Sequence, residues 1–168
     1  MFDFFKKNDK KSIIDDNQLI APVTGKLIRL SDVKDPVFSS GKMGDGFSLV
    51  PTEGKIVSPI NATIISIAQT KHAFGLKANN GLEIILHLGI DTVNLKGKPF
   101  NVKVSEGQNV LAGQNIATMD LQMTNSAKLD PSVIFVITNA AEKIKKLQLN
   151  EFNQNYLAGA NIGRVILK

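Results

Sequence analysis

The chain has 168 residues, 43% of them hydrophobic, and a formal charge of +5 at neutral pH, enough for one domain with a real core. No apolar run reaches bilayer-spanning length, and the opening "MFDFFKKNDKK" lacks the continuous apolar segment of a secretory signal, so a cytoplasmic protein is expected. Cysteine is absent, which removes disulfides, thiolate metal sites and cysteine nucleophiles.

In chain order, residues 1–17 read as a flexible N-terminal arm, polar and charged after an aromatic start. Phe2, Phe4 and Phe5 beside Lys6 and Lys7 offer at most a weak membrane-surface contact. Residues 18–168 then read as a single domain of short apolar runs punctuated by glycine, proline and asparagine. Strands are expected at Leu19–Val23, Lys26–Leu30, Ser48–Val50, Gly54–Val57, Ala62–Ala68 and Ala73–Ala78. Further strands are expected at Leu82–Leu88, Phe100–Val104, Asn115–Met119, Ser132–Thr138 and Gly163–Leu167. Helical turns are expected near Leu121–Lys128 and Ala140–Leu147. This spacing predicts an all-β chain, an antiparallel β-sandwich or flattened barrel. "IAPVTGKLIRL" (Ile20–Leu30) and "VSPINATIISI" (Val57–Ile67) echo one another, although glycine and proline shaping turns would account for the cadence. The lysines are scattered or in short runs and aromatics are few, so no nucleic-acid partner is expected.

The chain has two histidines, His72 in "QTKHAFG" and His87 in "GLEIILHLGIDTV". Leu82, Ile84, Leu86 and Leu88 alternate at the period of a half-buried strand, leaving His87 on its other face. Between the two histidines lies "ANNG", a hairpin signal. A two-residue Asn79–Asn80 loop would set His72 directly across from His87. An Asn80–Gly81 loop would set Phe74 across from His87, with His72 as its diagonal neighbour. Either register places both imidazoles on one face, whereas an odd-length loop separates them unless a bulge compensates. A pair on one face fits a hydrogen-bonded structural feature as well as a functional site.

As chemistry, a neutral imidazole is a nucleophile at pH 7. If one ring nitrogen donates to a backbone carbonyl, the other presents its lone pair outward. Gly89 would let such a carbonyl approach His87, and Thr70 offers a hydroxyl to His72. Two imidazoles arranged in this way could carry and stabilise a phosphoryl group. The phosphate-cradling glycine-rich loop of nucleotide-driven kinases is absent.

"GLEIILHLGIDTV" resembles the active-site signature of the glucose-type enzyme IIA family of the bacterial phosphoenolpyruvate:sugar phosphotransferase system. Gly81, Ile84, Ile85, Leu86, His87, Leu88, Gly89, Ile90, Thr92 and Val93 satisfy its pattern. The likeness extends through "APVTGKLIRLSDVKDPVFSSGKMGDG", "PTEGKIVSPINATI", "TKHAF" and "EGQNVLAGQ". It implies a phosphocarrier, with His87 accepting the phosphoryl group and its Nδ1 held by the Gly89 carbonyl. His72 would stabilise the phosphate and be oriented by Thr70. The donor would be phospho-HPr, the acceptor the cysteine of a glucose-family enzyme IIB in a IIB/IIC permease, with no cofactor of its own. Asp35 and Asp91 would receive partner arginines, and Val37, Phe38 and Met43 would form an apolar docking rim. The histidines would bind zinc only as a pair completed by a partner. Ala68, Ile85 and Lys42 depart from the enteric members close to that rim, so the resemblance implies the chemistry rather than their regulatory contacts.

Two other classes compete with this reading. A biotinyl or lipoyl carrier domain needs a lysine at a hairpin tip, which "MDLQM" (Met119–Met123) lacks. A sugar-binding sandwich relies on aromatic platforms, and the chain has no tryptophan and a single tyrosine, Tyr156.

Overall fold

Alternation along the apolar runs dictates the layers. In Glu83–Leu88, Ile84, Leu86 and Leu88 are buried in the main core, while Glu83, Ile85 and His87 point to the opposite face. The computed structural model describes residues 14–168, so residues 1–13, with Phe2, Phe4 and Phe5, lie outside the described residues. Of the expected arm, residues 14–17 are described and fastened. The Asn61 side-chain amide donates to the Ile14 carbonyl at 2.6 Å and to an Asp16 carboxylate oxygen at 3.0 Å.

The strands are β1 (Gln18–Ile20), β2 (Gly25–Arg29), β3 (Asp45–Pro51), β4 (Lys55–Val57), β5 (Ala62–Ile67), β6 (Ala73–Ala78) and β7 (Glu83–Leu88). There follow β8 (Phe100–Val102), β9 (Asn109–Val110), β10 (Asn115–Met119), β11 (Val133–Ile137), β12 (Ile144–Leu149), β13 (Asn155–Tyr156) and β14 (Asn161–Leu167). Helices are single turns or little more: α1 (Pro36–Ser39), α2 (Leu121–Ser126) and α3 (Ala140–Lys143). Short 3-10 turns occupy Leu30–Asp32 and Thr92–Leu95. Among the described residues, no helix is long and apolar enough to cross a membrane.

An eight-stranded sheet runs in the order β13-β2-β3-β11-β7-β6-β5-β9, and two three-stranded sheets run β1-β14-β12 and β4-β10-β8. All pairings are antiparallel, as expected for the sandwich. The main core lies against the inner face of the large sheet, where Phe47 and Phe135 stack with centroids 4.5 Å apart. The two echoing segments lie side by side: Ile20 donates its N–H to the Pro59 carbonyl, and Val57 donates to that of Pro22.

On the outer face sits a smaller apolar cluster of Leu30, Val33, Phe38, Ile90, Ile134 and Val136. It explains why every residue of β11 is buried: the segment 30–39 covers its outward side chains. Within this cover Asp35 caps α1, its carboxylate accepting the Val37 N–H at 3.0 Å, with Pro36 as the first helical residue. This helix is not among the expected elements, although the aspartate–proline pair is a helix-start signal.

Two expectations are corrected. Ala140–Leu147 is helical only to Lys143, and Ile144–Leu149 is a strand paired with β14. A bulge between Ile144 and Lys146 breaks the strand alternation, so Ile144 and Leu147 stand at a helix-like spacing of three. The second correction concerns the β6–β7 hairpin. Its loop has three residues, Asn79–Gly81, with Gly81 at φ +95°, and Ala73 rather than His72 or Phe74 faces His87. Gly81 donates to the Ala78 carbonyl, and Ala78 donates to that of Leu82. These bonds mark a type I turn closed by a left-handed residue, which adds one residue to either two-residue loop.

Candidate phosphohistidine site

The odd-length loop would separate the two histidines if both belonged to regular strand. They meet because His72 does not. It closes the β5–β6 loop after Lys71, whose φ of +62° breaks the pleat, and its own carbonyl accepts the Leu88 N–H at 2.7 Å. Freed from strict alternation, its ring lies across that of His87, with centroids 5.1 Å apart and planes at 76°.

His87 sits on the outer face of the large sheet, between Ala73 on β6 and Ile134 on β11. Phe38 walls its ring at 5.0 Å. His87 Nδ1 is 2.7 Å from the Gly89 carbonyl oxygen. A carbonyl can only accept, so Nδ1 carries the proton in the neutral ring and Nε2 keeps the lone pair. His72 Nδ1 is 2.6 Å from the Thr70 hydroxyl, which can serve as donor or acceptor.

Burial is the largest influence on His87 and pushes its pKa below the usual histidine value. The Gly89 hydrogen bond opposes this, the neighbouring His72 adds to it, and the negative charges of Asp35 and Asp91 oppose it. Burial lowers the His72 value too. Both rings are therefore biased toward the neutral form.

The other expected residues divide. Asp35 caps α1 and Asp91 is exposed in a left-handed conformation at φ +61°, and both act on the charge of His87. Val37 faces outward at 56% exposure, whereas Phe38 is only 5% exposed, so it forms the wall of the site more than its rim. Met43, partly buried, packs against the outer cluster that contains Phe38. Thr92 matched the signature without receiving a role; it is fully buried, and its hydroxyl donates to the Leu88 carbonyl. Ile65 was also missed. At 53% exposure it lies beside Gly75, which pairs with Ile85, and extends the apolar surface along the face that carries His87. The available signal was an isoleucine directly after Ile64, on the alternate face of the strand.

Among the described residues, no cluster of three or more His, Cys, Asp or Glu side chains could hold a metal. A groove lies elsewhere, between β12 and the segment Arg29–Ser31, and neither histidine lines it. The histidine site lies on the outer face of the sheet: a half-buried His87 whose Nε2 keeps its lone pair, with a second imidazole beside it. That arrangement suits a group delivered by a macromolecule better than an enclosed small substrate.

Comparison with known proteins supplies the family. Residues 17–143 match the family model described as phosphoenolpyruvate-dependent sugar phosphotransferase system, EIIA 1. The PTS system glucose-specific EIIA component of Bacillus cereus is 44% identical over 129 residues, covering 76% of this chain and 78% of that protein. Its counterpart in Staphylococcus epidermidis is 44% identical over 139 residues, covering 82% and 83% respectively. The glucose-specific EIICBA component of Streptococcus pneumoniae serotype 4 is 47% identical over 127 residues; the match spans 76% of this chain but 17% of that longer protein. The solved glucose permease IIA from Mycoplasma capricolum superposes with a TM-score of 0.76 at 31% identity, covering 87% of this chain and 93% of that one. The signature around His87, the sandwich and these matches agree: the chain belongs to the EIIA 1 family of the phosphoenolpyruvate-dependent sugar phosphotransferase system.

Proposed function

We propose that this chain is a glucose-type phosphocarrier in which His87 Nε2 takes a phosphoryl group from phospho-HPr and passes it to the cysteine of a glucose-family enzyme IIB. The observation that carries the proposal is the Nδ1–H···O=C bond from His87 to Gly89, which leaves Nε2 as the free nucleophile beside a second imidazole. In the first step the Nε2 lone pair forms a bond to phosphorus as the phosphorus–nitrogen bond of phospho-HPr breaks, returning a neutral histidine to HPr. In the second, the IIB thiolate forms a bond to phosphorus and His87 leaves as neutral imidazole. No resident cofactor is invoked.

His72 would assist both steps. With the Thr70 hydroxyl donating to its Nδ1, its Nε2–H points a donor at phosphoryl oxygens as their charge rises. Val37, Phe38, Met43 and the carboxylates of Asp35 and Asp91 would surround an incoming partner. The domain reading is residues 18–168 as one IIA unit, acting in the cytoplasm and at the inner face of the membrane where the permease sits.

The test is incubation with phosphoenolpyruvate, enzyme I and HPr, followed by peptide mapping. One acid-labile phosphoryl adduct on His87, absent from His87→Ala, is the expected result. Full labelling of His87→Ala overturns the assignment. Biotin or lipoate found on the protein would instead favour the carrier-domain alternative.

A further inference from the structure

Gly89 is held from both sides, which raises the question of what aims its carbonyl at His87. The peptide unit before it is fixed at each end: the Gly89 N–H donates to the Ser132 carbonyl at 2.8 Å, and the Leu88 carbonyl accepts the Thr92 hydroxyl at 2.5 Å. In the peptide unit after it, the Ile90 N–H donates to the Asp130 carbonyl at 2.8 Å, leaving the Gly89 oxygen facing His87. Three of these four groups therefore bond to other parts of the protein and the fourth meets the imidazole. Among the described residues, Thr92 supplies the one side-chain bond in this set apart from His87 itself.

Thr92 also fixes Gly89 sterically. Gly89 has φ +84°, and a Cβ there would lie 2.4 Å from the Thr92 methyl carbon and 3.1 Å from the Asp130 carbonyl oxygen. The threonine methyl thus occupies the space beside the glycine while its hydroxyl holds the preceding carbonyl. Thr92 is fully buried and begins the 3-10 turn Thr92–Leu95. The residue before it, Asp91, is left-handed and makes no side-chain cap bond to that turn. Glycine adopts the left-handed region freely, but the left-handed Asp91 costs free energy and persists only where surrounding bonds determine it.

We propose that Thr92 is a positioning residue: its hydroxyl, through the Leu88–Gly89 peptide, orients the Gly89 carbonyl that keeps the His87 proton on Nδ1 and leaves Nε2 unprotonated. The consequence for transfer rests on His87 being the phosphoryl acceptor, but the effect on the ring's tautomer does not. Thr92→Val keeps the shape and removes the hydroxyl, while Thr92→Ser keeps the hydroxyl.

Nitrogen NMR of the His87 ring above its pKa reads the tautomer directly. Thr92→Val should lose the single Nδ1–H form, its two ring-nitrogen shifts moving toward each other, and phosphorylation by phospho-HPr should slow roughly 10- to 100-fold, the scale of a misplaced reacting group. Thr92→Ser should match wild type within about twofold, since the bond is retained. Unchanged ring shifts in a folded Thr92→Val overturn the proposal, as does a Thr92→Ser as impaired as Thr92→Val. If Thr92→Val does not fold, Thr92→Ser decides alone: wild-type shifts support the hydroxyl and shifted ones refute it. If the ring shifts move as expected but phosphate maps to another residue, the function assigned to His87 fails while the role of Thr92 stands.

Discussion

At the scale of the residue, the fold sets two imidazoles in unlike environments. His87 is walled by Phe38 and tied to a carbonyl, while His72 is less enclosed and tied to a hydroxyl. Replacing His72 by glutamine keeps a donor of similar reach but removes the imidazole. His72→Gln should still be labelled by phospho-HPr, yet transfer to IIB should fall by roughly 10² to 10³, the usual cost of losing one such electrostatic contact. Single-turnover transfer from the loaded variant measures this, and a wild-type rate would make His72 a bystander. The pH dependence follows from the lowered His87 pKa. Below the unfolded histidine value of about 6.5 the unfolded chain binds a proton that folded His87 refuses. Stability contributed by the neutral ring is therefore present above that value and is lost as pH falls toward the folded pKa. The same shift keeps Nε2 nucleophilic in mildly acidic solution, so an NMR titration of His87 should give a midpoint below that of free histidine. A midpoint above it would contradict the burial argument.

At the scale of the element, β11 and its cover connect the core to the site. Val133, Phe135 and Ile137 point into the main core, while Ile134 and Val136 hold the outer cluster on which Phe38 and His87 rest. Phe135→Ala should reduce the unfolding free energy by about 3–5 kcal/mol, the range for a buried phenylalanine, as measured by urea denaturation. A loss under about 1 kcal/mol would show that the Phe47–Phe135 stack is not central. Much of this level was legible in the sequence. The strand carrying His87, with its alternating leucines and isoleucines, and the helical segment after Asp120 stand where periodicity put them. Other elements were hidden for physical reasons. The bulge at Ile144–Lys146 disguised β12, and β9 and β13 have two residues each, too few to show a period. Type I′ chemistry in "ANNG" suggested an even loop, whereas Gly81 closes an odd one. The histidine pair was therefore anticipated through registers the hairpin does not adopt; what unites the rings is the left-handed Lys71, which no periodicity reveals.

At the scale of the whole molecule, the sandwich carries the His87 imidazole on an outer face where Val37 and Ile65 are exposed, so on the proposed function partner docking should govern the rate. Val37→Asp alters only an exposed side chain and should slow phosphorylation by phospho-HPr while leaving the melting temperature near wild type. Phe38→Asp is the poorer probe, because it would place a carboxylate in the buried outer cluster. Wild-type transfer in Val37→Asp would put the docking surface elsewhere. Gly89 takes His87 Nδ1 and leaves Nε2 its lone pair, so on the proposed function the fold chooses one nitrogen of one histidine. Phosphorus and nitrogen NMR of the protein phosphorylated through HPr measures that choice directly. The expected result is a single phosphohistidine at position 87 substituted on Nε2, with Nδ1 still protonated. Phosphate on Nδ1 of His87, or on His72, would contradict it.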